Sequence, residues 1–285
     1  MYRLSKIRNK AVKLNITCNQ KKRTVYEPIP ELKIIVSKID QILLGSLRIP
    51  QTFCGVGWGR KDITHALRHT NKKCVLCLDI KDFFPSIHHT KVFEIFSRVL
   101  GCPANVAKLL TRLTTHDDQL PQGFPTSSCL SALTLLKVER RLSALCKQYG
   151  LNFSIYVDNL DFSGNWDFHP KLKDKIISII SQSGFKINPK KTECQHWYET
   201  QKVLKIKVNK KINIPDEKLQ EVRALMNEFE KGTYANWPVK KQCKKLKHIQ
   251  GKIGYIKYIN PVIGNKLMER FHKIEARVPI KVNAA

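Results

Sequence analysis

Residues 78–87 read LDIKDFFPSI, and this stretch places an acidic side chain where an apolar segment ends. The apolar residues of Val75–Ile80 predict a buried β-strand that stops before the Pro-Ser pair at 85–86. Asp79 would then lie at the terminus of that strand. A carboxylate in such a position is a candidate for chemistry.

Two further strings also join polar residues to apolar elements: LPQGFPTSS at 120–128 and YVDN at 156–159. The second predicts a pair of strands over Phe153–Phe162 that reverses at Asp158. If these strands neighbour the strand ending at Asp79, the two carboxylates converge. Such a pair can hold two hard divalent cations, as phosphoryl transfer by two metals requires.

Around these strings the chain has a strong positive charge. Its 285 residues contain 51 Lys+Arg and 23 Asp+Glu, so 51 − 23 gives +28, and 42% of residues are hydrophobic. The apolar content excludes a disordered tail and predicts one large domain or a few tightly joined subdomains. The charge indicates a polyanionic partner, for which a nucleic-acid backbone is the first interpretation and an acidic membrane surface the alternative.

The charge is concentrated near the end of the chain. Residues 202–281 hold 20 Lys+Arg and 7 Asp+Glu within segments of helical apolar spacing. Lysines without evident acidic partners, next to aromatic residues, are typical of surfaces that bind nucleic acid. The candidates are Lys244, Lys245, Lys252 and Tyr255, and the alternative is an ordinary solvated helix face.

Cysteine usage and hydropathy predict the compartment. The nine cysteines are scattered and odd in number, which indicates reduced thiols, and no apolar run is long enough for a membrane span. We therefore expect a cytoplasmic protein with no membrane partner. The CxxC pair Cys74 and Cys77 lies in the predicted strand, where its sulfurs would point to opposite faces. No second Cys or His pair at zinc-ligand spacing accompanies it, so no metal role is predicted there.

Four other elements follow from the local patterns. Residues 10–28 predict a basic hairpin, and Glu31–Leu44 predicts an amphipathic helix. Ser127 or Ser128 could cap a helix running to Gly150. Lys171–Gly184 predicts a helix closed by glycine.

With all three strings in this order and spacing, the chain resembles a bacterial reverse transcriptase of the retron and group II intron type. The resemblance extends over nearly the whole chain. Arg23 and the following YEPIP are similar to the fingers segment, GFKINPKKT at 184–192 to the palm segment after the catalytic turn, VLKIKVN at 203–209 to the primer-grip hairpin, and GKIGYIKYINP at 251–261 to the thumb.

The resemblance implies a right-hand polymerase fold of the α/β (α+β) class. Its fingers would occupy residues 1–73. The palm, an antiparallel sheet plus helices with fingers helices interleaved, would occupy 74–215, and a helical thumb 216–285.

The resemblance also assigns roles at the catalytic centre. Asp79, Asp158 and the carbonyl of Ile80 would bind two Mg²⁺ ions, and Asn159 would complete the catalytic turn. Lys191 would protonate pyrophosphate, with a plain surface lysine as the alternative.

Other residues would hold the incoming nucleotide. Arg23 would bind the triphosphate, and Phe84 would exclude a ribose 2′-hydroxyl. Gln122 and Gly123 would line the nascent base pair, with glycine permitting close backbone approach.

Three departures from the family pattern affect these expectations. Asn159 stands where the family usually has a second aspartate, which predicts weaker metal binding and a preference for Mn²⁺, unless Asp161 or Asp82 restores the charge. HALRH at 65–69 replaces the usual Asn-Ala-x-x-His, and VLK at 203–205 replaces Val-Thr-Gly. These two changes favour a defence-associated branch over a retron proper.

The leading hypothesis is an RNA-directed DNA polymerase that acts on an RNA template and makes a DNA product. A structured noncoding RNA and a defence effector protein or a second copy of the chain are the implied partners. The alternative is a catalytically silent RNA-binding scaffold. A plain basic RNA-binding protein would explain the charge but none of the three strings.

Overall fold

The computed structural model describes residues 11–18, 21–56 and 61–276, except for the side chains of residues 17, 18 and 21–23. The chain divides into two compact units, Met1–His196 and Trp197–Ala285. The fingers, palm and thumb boundaries after residues 73 and 215 stay predictions.

The described part of the first unit begins with an antiparallel hairpin of β1 (Ala11–Cys18) and β2 (Lys21–Pro28), which confirms the predicted hairpin. Helix α1 (Pro30–Lys38) follows directly. Pro30 occupies its first turn, where a missing N–H removes no helical hydrogen bond. The helix continues as the π-helical segment Ile39–Leu44, so the predicted helix is confirmed with a widened end.

A five-stranded sheet forms the centre of the first unit, in the order β3-β5-β6-β4-β7. The strands are β3 (Phe53–Cys54), β4 (Cys74–Asp79), β5 (Asn152–Tyr156), β6 (Asn159–Gly164) and β7 (Glu193–His196). β3 runs parallel to β5, and the other pairings are antiparallel. The strand that ends at Asp79 is therefore the neighbour of the strand that follows Asp158, which is the condition under which the two carboxylates converge.

The two faces of this sheet differ in polarity. Directly opposed residues of neighbouring strands lie on the same face. One face carries the buried apolar pairs Leu76–Phe162 and Leu78–Leu160. The other face carries the pairs Cys77–Asp161 and Asp79–Asn159. Polar residues of the first and third strings, Asp79 and Asn159, thus lie on one face of the sheet.

Eight α-helices in the described part of the first unit accompany the sheet. After α1 they are α2 (Asp62–Leu67), α3 (Phe83–Ser86), α4 (His89–Glu94), α5 (Ala104–Thr114), α6 (Ser127–Thr134), α7 (Leu136–Gln148) and α8 (Pro170–Gln182). Helix α4 is continued by the π-helical segment Ile95–Val99. The single helix predicted from Ser127 or Ser128 to Gly150 is wrong, because α6 and α7 are separated at Leu135. Ser127 does not cap it either, since its hydroxyl donates to the carbonyl of Pro121 at 2.6 Å. The glycine closure of α8 is confirmed by Gly184, whose φ is +79°.

The second unit contains a short hairpin and three helices. β8 (Lys202–Val203) and β9 (Ile206–Lys207) pair antiparallel, so the predicted hairpin is confirmed. The helices are α9 (Asp216–Glu230), α10 (Val239–Ile259) and α11 (Pro261–Glu275). Seven of the eight side chains that give the predicted helical apolar spacing are buried: Leu219, Val222, Phe229, Leu246, Ile249, Ile253 and Ile256. The eighth, Leu225, is half-buried.

None of the helices in the described part of the chain combines the length and apolar character that a membrane crossing needs.

Candidate active site

The β5–β6 turn presents Asp158. Tyr156 and Asn159 are paired, so only Val157 and Asp158 form the loop. Val157 has a φ of +57°, a conformation that is uncommon for a β-branched residue and is strained. The turn is a two-residue reversal of the type that normally takes glycine at this first position.

Asp79 lies beside this turn. It is opposite Asn159 across the β4–β6 ladder, and the backbone N–H of Ile80 donates to the carbonyl of Asp158 at 2.9 Å. Asp79 is only 5% exposed. The structure therefore brings together the end of β4 and the turn that carries Asp158, which the sequence could only infer.

Lys191 also belongs to this site. Its ammonium lies 2.5 Å from Oδ2 of Asp79, although the sequence left a surface lysine as the alternative. The 3₁₀ turn Pro189–Lys191 positions it, and the backbone N–H of Asn188 anchors that turn by donating to the carbonyl of Asp79 at 2.8 Å. The carboxylate of Asp79 thus has a positive charge beside it.

Asn159 interacts with Asp158 directly. Its side-chain amide donates to Oδ1 of Asp158 at 2.9 Å and to the carbonyl of Tyr156 at 3.4 Å. The amide therefore satisfies a carboxylate oxygen while adding no negative charge.

The donors at this centre fit a divalent metal. Asp79 and Asp158 offer carboxylate oxygens, which hard cations prefer. The ammonium of Lys191 already lies on one oxygen of Asp79, so a cation can reach that oxygen.

The expectation that Asp161 restores charge at the metal site is wrong. Asp161 is 2% exposed, and its Oδ2 lies 2.5 Å from Nε2 of His65. Burial alone would raise the pKa of Asp161, but the hydrogen bond and charge of His65 hold it below its usual value. Its charge is therefore balanced inside the protein by a histidine.

A buried polar network surrounds this pair, and sequence reasoning did not find it. The hydroxyl of Ser154 lies 2.9 Å from Nδ1 of His65 and 2.8 Å from Nε2 of His69, whose Nδ1 contacts Ser163 at 2.8 Å. Burial lowers the pKa of His65, yet hydrogen bonds with Asp161 and Cys54 outweigh it and raise the pKa to about 9.

His69 differs, because burial lowers its pKa to about 3. The HALRH string was the signal, since both histidines come from it. The sequence alone could not show that these histidines contact Ser154 on β5 and Asp161 and Ser163 on β6.

Gln122 and Gly123 lie against β2. The N–H of Tyr26 donates to the carbonyl of Gln122 at 2.7 Å. Gly123 has a φ of +111°, and a Cβ there would meet the Tyr26 carbonyl oxygen at 2.6 Å. Glycine is therefore required because the chain's own β2 approaches closely.

The structure gives fewer contacts for the remaining candidates, Phe84, Arg23 and Asp82. Phe84 is half-buried in α3, with its ring centroid 5.6 Å from that of Phe83. The side chain of Arg23 lies outside the described residues, and only its backbone pairing with Ile16 is described. Asp82, which precedes α3, is exposed and has a φ of +48°.

In the second unit, the interpretation of the lysines as unpaired is wrong at two of three positions. Lys252 lies 2.7 Å from Oε1 of Glu221, and Lys245 lies 3.8 Å from Oε2 of Glu228. Lys244 is exposed and has no ion pair among the described residues.

Tyr255 and Lys252 lie in the lining of a 440 Å³ cavity between α9 and α10. The ammonium of Lys218 lies 4.7 Å from the ring centroid of Tyr255, which is a cation–π contact. The cavity therefore has a basic and aromatic lining.

Several known proteins are similar to this chain. The family model described as reverse transcriptase (RNA-dependent DNA polymerase) matches residues 5–225. Retron Se72 reverse transcriptase of Salmonella heidelberg (strain 579083-10) is 32% identical over 191 residues, which are 66% of this chain and 50% of that protein. Retron Mx65 reverse transcriptase of Myxococcus xanthus is 27% identical over 267 residues, 87% of this chain and 61% of that protein.

A third relative, retron Ec86 reverse transcriptase of Escherichia coli, is 27% identical over 257 residues, 90% of this chain and 77% of that protein. The chain thus spans only 50% and 61% of the length of the Se72 and Mx65 enzymes. A solved structure of Candida albicans telomerase with a TWJ fragment of telomeric RNA superposes with a TM-score of 0.49 at 11% identity, covering 93% of this chain and 63% of that one.

The mixed helices, the antiparallel-rich sheet and the family match confirm the predicted right-hand polymerase fold class. The relatives confirm the resemblance to retron enzymes that the three strings indicated. This chain belongs to the reverse transcriptase (RNA-dependent DNA polymerase) family.

Proposed function

We propose that the chain is an RNA-directed DNA polymerase, a nucleotidyltransferase that adds deoxynucleotides to a primer on an RNA template in the bacterial cytoplasm. The observation that carries the proposal is the position of Asp79 beside the turn that presents Asp158. Family membership supports it.

The two carboxylates would hold two divalent ions, Mg²⁺ or Mn²⁺, with the carbonyl of Ile80 as a further donor. Such ions activate the attacking hydroxyl and stabilise the leaving oxygen when they are bound. Lys191, which pairs with Asp79, would supply a proton to the departing pyrophosphate. Arg23, Gln122 and Gly123 would hold the incoming nucleotide, and Phe84 would select against ribose.

The proposed partners are an RNA template, the DNA product and a structured noncoding RNA. Lys244, Lys245, Lys252 and Tyr255 of the second unit would contact the nucleic-acid backbone. The names of the relatives support a retron-type enzyme. The proposal extends to a role in bacterial antiphage defence, with an effector protein or a second copy of the chain as partner.

Primer extension on a primed RNA template tests the polymerase. Asp79→Ala and Asp158→Ala should abolish deoxynucleotide addition but leave RNA affinity nearly unchanged, because each removes a metal ligand and little basic surface. Asp174→Ala, at an exposed aspartate of α8, is the matched control and should extend normally. Activity within about tenfold of wild type in either catalytic variant would refute the two-metal assignment.

Phe84→Val tests substrate choice in the same assay. The smaller side chain should raise ribonucleotide incorporation relative to deoxynucleotide incorporation. Unchanged discrimination would mean that another residue excludes the 2′-hydroxyl.

A catalytically silent scaffold is the second candidate, because Asn159 stands where the family usually has a carboxylate and its amide binds Asp158. That function predicts tight RNA binding without nucleotide incorporation. If wild-type protein binds RNA but extends no primer with either Mg²⁺ or Mn²⁺, the scaffold is the better description.

A further inference from the structure

Strands β4 and β7 bring two cysteines and a histidine together, far from one another in sequence. Cys74 is opposite His196, and Leu76 is opposite Cys194. Cys74, Cys194 and His196 therefore share a face of the sheet. It is the face of Leu76, so the cluster lies on the opposite side of the sheet from Asp79.

The ligand atoms are close enough to share one cation. The two sulfur atoms are 3.2 Å apart, and both lie within 4.8 Å of the histidine ligand nitrogen. Zn–S bonds of about 2.3 Å and Zn–N bonds of about 2.0 Å in a tetrahedron put ligand atoms roughly 3.4–3.8 Å apart. In the part of the chain that the structure describes, no other three His, Cys, Asp or Glu residues form such a group.

A carboxylate orients the histidine. Nδ1 of His196 lies 3.0 Å from Oδ1 of Asp167. Histidines that bind zinc characteristically pair their second ring nitrogen with a carboxylate, which fixes the ring and strengthens the ligand. This contact assigns Nε2 of His196 as the metal-facing nitrogen.

We propose that Cys74, Cys194 and His196 form a Zn²⁺ site, with two sulfur ligands, Nε2 and a water as the fourth ligand. Binding replaces the two thiol protons by the metal and releases them to solvent. β7 is an edge strand, and the metal joins it to β4, the strand that carries Asp79.

A disulfide is the competing chemistry for two adjacent cysteines. Cys194 is directly opposite Leu76, so it is diagonal to Cys74 in the ladder. Diagonal Cα atoms are about 7–8 Å apart in antiparallel sheets, which exceeds the usual span of a disulfide. A metal bridges this separation more readily, because each sulfur keeps its own bond to the ion.

Metal content and cobalt spectroscopy test the site in the full-length protein. Protein purified under reducing conditions without chelator should contain about one zinc per chain. After the zinc is removed, titration with Co²⁺ should give the visible bands of a tetrahedral ion and a sulfur-to-cobalt charge-transfer band. Chelation should lower the melting temperature, because the edge strand loses its attachment.

Variants identify the ligands. Cys194→Ser, at an exposed position, should remove the zinc and the charge-transfer band, and His196→Gln should weaken binding strongly. Cys102→Ser is the matched control in the same unit and should keep both signals. Asp167→Asn should leave the ligands in place but lower zinc affinity about 10-fold or more.

Two results would overturn the proposal. One is zinc content and Co²⁺ spectra that are the same in wild type and Cys194→Ser. The other is a Cys74–Cys194 disulfide, detected by mass as the loss of two hydrogens, in protein that takes up neither metal after reduction.

Discussion

The side-chain amide of Asn159 donates a hydrogen bond to Oδ1 of Asp158, over 2.9 Å. This contact orients the Asp158 carboxylate without adding charge. The turn therefore has one negative charge fewer than a turn with two aspartates. Two divalent cations that sit close together need that charge, so Asn159 should influence metal requirement more than nucleotide choice.

We expect Asn159→Asp to lower the Mg²⁺ concentration for half-maximal primer extension, because the second carboxylate increases attraction for the cations. Wild type should require unusually high Mg²⁺ or prefer Mn²⁺, which accepts less ideal geometry. Without metal, the same variant should melt at a lower temperature, since the hydrogen bond is replaced by repulsion between neighbouring carboxylates. Metal titrations of extension rate, and melting curves with chelator, measure both effects.

Asn159→Ala separates the effect of the hydrogen bond from the effect of charge, because it removes the hydrogen bond to Asp158 and adds no carboxylate. It should not lower the Mg²⁺ requirement. An equal or higher Mg²⁺ requirement in Asn159→Asp would show that the orientation of Asp158 matters more than charge.

The buried pair His65–Asp161 should be essential for stability. His65→Ala leaves Asp161 buried and without its partner, which typically costs about 3–5 kcal/mol in the free energy of unfolding. His248→Ala, at an exposed histidine of α10, should change it little. Urea unfolding gives both values, and a loss below about 1 kcal/mol in His65→Ala would contradict the buried ion pair.

The same pair predicts a pH dependence. The pKa of His65 in the folded protein, about 9, lies above its ordinary value of 6.5. Its stabilising contribution is therefore fully present below about pH 6.5 and is lost as pH rises through about 9. We expect unfolding free energy to fall across this interval in wild type and to fall less in His65→Asn. Equal slopes in the two proteins would exclude a charged His65.

The lysines of the second unit should contribute unequally to RNA binding. Lys244→Gln should flatten the slope of log affinity against log salt by about one unit, the effect of one lost phosphate contact. Lys252→Gln should change this slope less, because Glu221 already pairs with this lysine at 2.7 Å. Filter binding over a salt series measures both slopes.

Glu221→Gln is the complementary test, since it releases Lys252 and should strengthen RNA binding. If neither lysine variant changes the slope, these lysines form only a solvated surface.

Lys205→Gly should stabilise the protein. Leu204 and Lys205 have φ values of +49° and +65° in the β8–β9 turn, where the family usually has Thr-Gly. Glycine adopts this conformation without a Cβ penalty, so we expect a gain of about 1 kcal/mol in unfolding free energy. Lys211→Gly, outside the turn, is the control. A lower unfolding free energy in Lys205→Gly would mean that a contact of the lysine side chain stabilises the protein more than the positive φ destabilises it.

The sequence predicted the parts of the site that local pattern determines. Asp79 and Asp158 each end an apolar segment, so their place at strand ends was readable, and so was the hairpin of β1 and β2. The β8–β9 hairpin was predicted only from the resemblance to the family. The division of the helix at Leu135 was not readable, because the leucine spacing continues through it. It became visible only from the backbone.

Local sequence patterns could not predict which residues from distant segments contact one another. Asp161 looked like a spare acid near the metals, but its partner His65 lies 96 residues earlier. The sequence pattern could not separate a site role for Lys191 from that of a plain surface lysine, and its contact with Asp79 is visible only in the fold. Cys74 was judged with Cys77, its neighbour in sequence, whereas its partner in space is Cys194 on another strand.

The order of the sheet has a consequence for synthesis on the ribosome. β4 is made long before either of its neighbours, and Asp79 pairs with a residue about 80 positions later. At about 5–20 residues per second, roughly 4–16 s pass before that partner is translated. During this interval the apolar strand has no partner strand to pair with, so the nascent chain should depend on chaperones until β6 emerges.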